Sequence, residues 1–391
     1  PRAAAVDPRA TRRVAGRRMC APVFPPNPST ARRLAPGPTQ EHPPTMHLSP
    51  LRSAAALAAA TLVTGLAACG GDDSTDAAKA APGAPKAPAT LTIGYQAIPN
   101  GDLVVKHEQW LEKALPNTKI EWKAFDSGGD VNEAIAAGSL DIGLAGSSPV
   151  SRGLSQPLAY QVPWIHDVIG SAEALVVKKD ITSIDQLVGK KIATPLASTS
   201  HYSLLAALQD AGVDQSKVKV IDAEPDDIYA AWSRGDIDGA YVWNPNLDKI
   251  VKDGGHVLVD SSQLAKKGKT TYDLAVASND FAKTYPAALQ TWVEQENKAV
   301  ELYRSNKTQW ATDVGAELNL DVADVEKQAA GLIFLDAKEQ IGADYLGGGL
   351  ATNLFAAAQF NQKLGQIPSV KPEADYKAAV NAAPATAVAG Q

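Results

Sequence analysis

Apolar and polar residues follow two rhythms along residues 90–280. Runs with a period of two, or short continuous apolar runs, predict strands; apolar residues three or four apart predict helices. Residues 91–95 form a strand run, 103–114 are amphipathic, and 120–125 alternate again. The pattern at 131–137 predicts a short helix closed by Gly138, because glycine adopts the left-handed conformation that ends helices. Residues 141–145 read as a buried strand, and further strands are predicted at 174–177, 191–194, 218–221, 240–243 and 274–277. Beyond Asn279 the pattern is mostly helical, through 281–305, 322–332 and 350–364. Strands alternating with helices over short loops predict an α/β fold. No repeat of solenoid period is present.

The 391 residues exceed one ordinary core and suit two domains. Acidic side chains outnumber basic ones, 43 to 37, which argues against a non-specific nucleic-acid partner. Two cysteines exclude a disulfide scaffold and a cysteine-rich metal site. Basic-residue usage has a seam. Residues 1–45 hold eight arginines and no lysine, whereas 69–391 hold 25 lysines and three arginines. Residues 1–45 therefore read as upstream sequence translated by a mis-set start, or as a disordered leader, and carry no fold expectation.

From Met46 the chain reads as an export signal. Arg52 supplies the leading charge, and 53–63 are small and apolar but too short to span a bilayer. Leu66-Ala67-Ala68-Cys69, followed by Gly70-Gly71-Asp72-Asp73, resembles a bacterial lipoprotein signal, so 46–68 would be removed and Cys69 acylated. Such chains anchor by burying methylenes at about 0.8 kcal/mol each. The processed chain keeps 28 basic and 41 acidic residues, a net of −13, with no free thiol. Residues 69–89 are rich in Gly, Ala, Pro and Asp and read as a flexible tether.

Several ordered motifs carry a family resemblance. They are Tyr95-Gln96, Phe125-Asp126-Ser127-Gly128, Gly138-Ser139-Leu140-Asp141-Ile142-Gly143 and Gly146-Ser147-Ser148-Pro149, then Glu173-Ala174-Leu175-Val176-Val177. Gly189-Lys190-Lys191-Ile192-Ala193, Thr199-Ser200-His201-Tyr202 and the run from Trp232 to Trp243 complete the set. Over about 90–371 the chain resembles the periplasmic solute-binding proteins, in the group that takes aliphatic sulfonates and thiamine precursors, and most of all its taurine-binding members. The resemblance implies a type II periplasmic binding fold, two α/β lobes joined by two crossing strands with ligand in the cleft. Lobe one maps to 90–178 plus 275–371, lobe two to 179–274, and 372–391 to a C-terminal tail. The crossings map near 173–178 and 272–277. The strand pattern agrees, since open α/β sheets bind ligands beyond the carboxyl ends of their strands.

A taurine ligand is a zwitterion. Its sulfonate stays ionised and requires oriented donors, which helix N-termini supply. Ser147 and Ser148 before Pro149, and Ser198 and Thr199 before His201 and Tyr202, have the composition of such termini. Plain capping without a ligand explains either one alone; the resemblance makes both ligand contacts, with His201 and Tyr202 beside them. Gln96 offers its amide to the anion. The resemblance carries the amine acceptor to Asp273, with Glu173 as a second candidate or a hinge hydrogen bond. Trp243 ends a strand at the cleft lip, where it covers the ligand's carbons or meets the ammonium by cation–π attraction; Tyr241 and Trp232 read as core. No metal and no cofactor is expected, because His201 lacks partners at ligand spacing. A Ser147–His201–Asp273 triad lacks a nucleophile-elbow motif. The implied activity is capture without catalysis. The implied partners are an ABC permease with its cytoplasmic ATPase, and the membrane through Cys69; the protein is expected as a monomer in the cell envelope. An alkanesulfonate or other small organic anion is the alternative ligand, and a thiamine-pyrimidine-type enzyme the alternative class.

Overall fold

In the computed structural model, which describes residues 87–391, the strands sort into two sheets. In chain order they are β1 (Thr90–Gln96), β2 (Lys119–Phe125), β3 (Ile142–Gly146), β4 (Tyr160–Ile169), β5 (Glu173–Val177), β6 (Lys191–Thr194), β7 (Lys219–Asp222), β8 (Gly239–Trp243), β9 (His256–Asp260), β10 (Tyr272–Ser278) and β11 (Leu332–Ile333). The first sheet has the order β11-β4-β10-β3-β1-β2 and the second β7-β6-β8-β5-β9. Strands joined through helices lie parallel, as β1 does with β2 and β3, and β6 with β7 and β8. β10 and β5, which follow the two crossings, run antiparallel to their neighbours. The leader, the signal, Cys69 and nearly all of the tether lie outside the described residues. No described helix is long and apolar enough to cross a membrane.

The lobe boundaries differ from expectation. β5 belongs wholly to the second sheet, with Glu173 opposite Trp243, and β10 wholly to the first. The outgoing crossing is therefore 170–172, and lobe two ends before Tyr272. β5 is a short apolar run, which does not reveal the sheet it joins, and β4 before it is broken by polar residues. The crossing is pinned by Gly331, whose carbonyl accepts from the N–H groups of Gly170 (3.0 Å) and Ala172 (3.2 Å). A Cβ on Gly331 would lie 2.5 Å from the Ala172 nitrogen, so this approach requires glycine.

The expected tail is also corrected. Residues 373–391 contain the helices Glu373–Ala379 and Ala383–Ala389, and these pack on lobe one. Tyr376 is wholly buried with its hydroxyl 2.6 Å from Ser155 Oγ, and Val380 bridges to Val162. The aromatic area supplies the docking energy that the alanine-rich sequence around it lacks.

Each face of the second sheet has its own core. Along β5, Leu175 and Val177 pack on one side and Ala174 and Val176 on the other, as the strand period requires. Lobe one buries Trp164, Trp292 and Trp310 completely. The helix Gly349–Lys363 serves both lobes: Leu350, Leu354 and Ala358 join the first core, Ala357 and Phe360 the second. Phe360 meets Tyr202 edge-on at 4.8 Å between ring centroids.

Candidate functional site

The ends of β1, β3, β4, β5, β8 and β10 meet where the lobes join, around a cleft lined from both sides. Lobe one contributes Gln96, Ile98, Pro99, Gly128, Gly146, Pro149, Ile169, Asp273 and Leu332; lobe two contributes Glu173, Ser198, Thr199, Trp243 and Asn244. Six of the ten expected residues thus line the cleft: Gln96, Glu173, Ser198, Thr199, Trp243 and Asp273. Three helices open onto it, Gly128–Ala136, Ser147–Ser155 and Thr199–Asp210. First-turn N–H groups have no intrahelical acceptor, and the first two helices have no side-chain cap. The cleft is therefore provided with free donors and positive helix ends.

The side-chain hydroxyls are used differently from expectation. Ser198 Oγ donates to the Pro195 carbonyl (2.6 Å) and accepts from the His201 N–H (3.1 Å), so it is a cap. Thr199 donates its hydroxyl to Glu173 (2.5 Å). Ser147 and Ser148 do not line the cavity. Ser147 Oγ accepts from the Tyr272 N–H (3.2 Å), and Ser148 Oγ lies 3.5 Å from Asn361 Nδ2. His201 and Tyr202 do not line it either, because each further helical residue turns about 100° from the one before. His201 Nδ1 accepts from the Ala197 N–H (3.2 Å); burial, and then the charge of Arg152, push the ring down to about 4, so it is neutral. Tyr202 packs in the lobe-two core.

The carboxyls define the opposite character. Glu173 sits in a cage of hydroxyls: Thr199 and Ser200 (2.9 Å) donate to Oε2, Ser261 (2.7 Å) and Ser203 (3.4 Å) to Oε1. Burial raises its pKa while the four hydroxyls pull the other way. Asp273 lines the cleft without a hydrogen-bond partner among the described residues, and burial, then the Glu173 charge, push it up to about 8. Asp167 lies directly opposite Asp273 in the β4–β10 ladder and is wholly buried, with both oxygens unpartnered. Sequence reasoning missed Asp167, Ser200, Ser203 and Ser261. The signal for Asp167 was an acidic residue within an apolar run.

Gln96 donates to the Leu144 carbonyl (3.0 Å), which fixes its amide at the cleft wall. Trp243 is half-buried and lines both the cavity and a wider mouth with Phe125, Asp126, Glu224, Asp226 and Asp227. Burial, and then Asp130, Asp126, Asp222 and Asp227, push Glu224 up to about 7. Among the described residues, the one group able to converge on a metal ion is Asp102, His166 and Glu296, buried in lobe one. Its two carboxyls approach different ring nitrogens, Asp102 at Nε2 (3.7 Å) and Glu296 at Nδ1 (3.4 Å), an arrangement that suits proton sharing better than one shared ion.

Residues 118–307 match the family model described as NMT1/THI5 like. The taurine-binding periplasmic protein of Escherichia coli (strain K12) is 35% identical over 286 residues, 72% of this chain and 88% of that protein. The alkanesulfonate-binding protein of Xanthomonas axonopodis pv. citri, solved with bound MOPS, superposes with a TM-score of 0.63 at 23% identity, covering 76% of this chain and 98% of that one. A desulfurization enzyme shares the fold with a TM-score of 0.56 at 14% identity, covering 78% and 99%. The architecture is that of the type II periplasmic binding proteins.

Proposed function

The chain belongs to the family of periplasmic taurine- and aliphatic-sulfonate-binding proteins, and on that premise we propose that it captures taurine for an ABC importer. One observation carries the reading: the cleft is lined by two helix N-termini without side-chain caps and by an unpartnered carboxyl, Asp273, whose ladder neighbour Gly146 begins one of those helices. A sulfonate requires the first and an ammonium the second. The two-carbon linker would lie against Trp243 and the apolar wall of Ile98, Pro99, Ile169 and Leu332. That wall, beside an Asp273 carboxyl that is protonated near neutral pH in the empty cleft, also supports an alkanesulfonate as the second reading.

Capture, not catalysis, fits the chemistry of the cleft. Its hydroxyls are committed to Glu173 or to capping. The chain's two cysteines, Cys20 and Cys69, both precede the described residues. Closure of the lobes on the ligand would be what a permease, with its ATPase, reads. Acylated Cys69 would tether the protein at the membrane face of the envelope; intact-mass analysis of the membrane fraction should find it as the lipid-bearing first residue. Soluble protein retaining 1–68 would sink the anchor.

The test of the ligand is calorimetry with taurine, ethanesulfonate, β-alanine and a thiamine precursor. Taurine should bind most tightly, and at 100 times its Kd should add about 2.7 kcal/mol of stability. Tighter binding of the thiamine precursor than of either sulfonate would overturn the reading.

A further inference from the structure

Three carboxyls meet where the lobes join: Asp167 from β4, Glu173 from β5 and Asp273 from β10. Glu173 is satisfied by its four hydroxyls. The other two are not. Asp167 and Asp273 are directly opposed across an antiparallel ladder, which puts their side chains on one face with Cβ atoms about 4.5–5.5 Å apart. Asp167 is wholly buried and neither of its oxygens has a partner. No basic side chain pairs with any of the three among the described residues. Two adjacent desolvated carboxylates without a cation cannot both ionise cheaply, whereas sharing one proton relieves both repulsion and desolvation.

We propose that Asp167 and Asp273 hold one proton between them in the empty cleft, and that the ligand's ammonium takes its place. Capture of an amine-bearing sulfonate then releases a proton to solvent, and capture of a plain alkanesulfonate does not. This rests on the taurine reading and gives Asp167 the role of positioning residue, acting on the amine through Asp273. The step is an exchange of one positive charge for another inside the cleft, with no covalent bond formed or broken. The titratable groups facing the pair are each other and Glu173, and both are shifted upward by burial first and by like charge second. Glu224 at the mouth is shared by every ligand that closes the lobes, so a ligand without an amine serves as its control.

The experiment is titration calorimetry of the full-length protein with taurine and with ethanesulfonate at pH 7, in phosphate and in Tris, whose ionisation enthalpies differ. The difference in heat counts protons. About one proton should leave per taurine and about none per ethanesulfonate, and taurine affinity should rise about tenfold per pH unit from 6 to 7.5 before levelling above 8. Asp167→Asn should cut the taurine proton count by at least half and flatten that profile. The wild-type comparison stands alone should the variant fold poorly. Taurine binding without proton release, or equal release for both ligands, overturns the proposal and leaves the taurine reading intact. Binding of ethanesulfonate with no binding of taurine removes both.

Discussion

Two acidic residues of the cleft, Glu173 and Asp273, carry the same charge and have opposite situations. Glu173 accepts four hydroxyl hydrogen bonds and needs no ligand; Asp273 accepts none and faces the cavity. On the proposed reading the amine is therefore assigned to Asp273. Asp273→Asn should weaken taurine by roughly 2–5 kcal/mol, because an ammonium would be desolvated without its counter-charge. Ethanesulfonate should bind the same variant about as tightly as the wild type, since it meets a protonated carboxyl in one and a neutral amide in the other. Calorimetry on both ligands, with circular dichroism as the check on folding, decides it; equal losses would make Asp273 structural. The place of Asp273 was legible in the sequence, because it stands at the start of a strand whose apolar pattern is clear; its role as amine acceptor came from the resemblance. The place of Asp167 was not, because Pro163, His166 and Asp167 break the pattern of β4 and conceal the strand that holds them. The partner of the Thr199 hydroxyl was not legible, for a different reason. Composition identifies a helix N-terminus, but it cannot tell whether a hydroxyl there points to the ligand or, as here, to a buried glutamate 26 positions away in sequence.

The helices that open at the cleft are the elements through which closure would act. Gly146, which ends β3 and caps the helix Ser147–Ser155, approaches Thr199 of the other lobe so closely that a Cβ would stand 2.6 Å from Thr199 Cγ2. Its backbone (φ −63°, ψ 156°) is open to any residue, so a substitution there is strained by the neighbouring lobe and not by its own conformation. Gly146→Ala should hold the lobes apart. The expected cost is about 1–3 kcal/mol of binding energy for any ligand, taurine and ethanesulfonate alike. Small-angle scattering with saturating taurine should show the variant more extended than the wild type; identical profiles and affinities would mean that this contact does not limit closure. Elements with a regular period were legible. The breaks were not: 103–114 splits at Gln109, whose φ is 54°, and 281–305 splits ahead of Pro286. Short β9 and the helix Lys307–Leu318 carried too weak a pattern to register against their surroundings.

Across the whole molecule, the sequence pattern established an α/β chain, and the resemblance supplied two lobes; which sheet each crossing strand joins is decided by contacts between residues far apart in sequence. The same long-range burial sets a pH dependence that the sequence could not suggest. Asp273 and Glu296 are pushed up to about 8, and Asp102 and Asp167 are raised in the same direction, all by burial first. In the unfolded chain these groups titrate near 4. Between about 4 and 8 the folded protein thus binds more protons than the unfolded one, and these groups make stability fall as pH rises. His166 and His201 act the other way. Both are held below the usual histidine value, chiefly by burial, so the unfolded chain binds more protons below about 6.5 and stability is lost as pH falls there. The two slopes oppose one another under pH 6.5, and above it only the carboxyls remain. The empty protein should therefore melt at a lower temperature at pH 8 than at pH 6.5, each such carboxyl contributing up to about 1.4 kcal/mol per pH unit. Bound taurine takes the Asp273 carboxyl in its ionised form and cancels that group's share, so the stabilisation by saturating taurine should be larger at pH 8 than at pH 6.5. Ethanesulfonate, which leaves the proton in place, should give no such growth. Scanning calorimetry of empty, taurine-bound and ethanesulfonate-bound protein at the two pH values measures all three slopes. A melting temperature of the empty protein that holds or rises from pH 6.5 to 8 would mean that the buried carboxyls are already ionised in the fold.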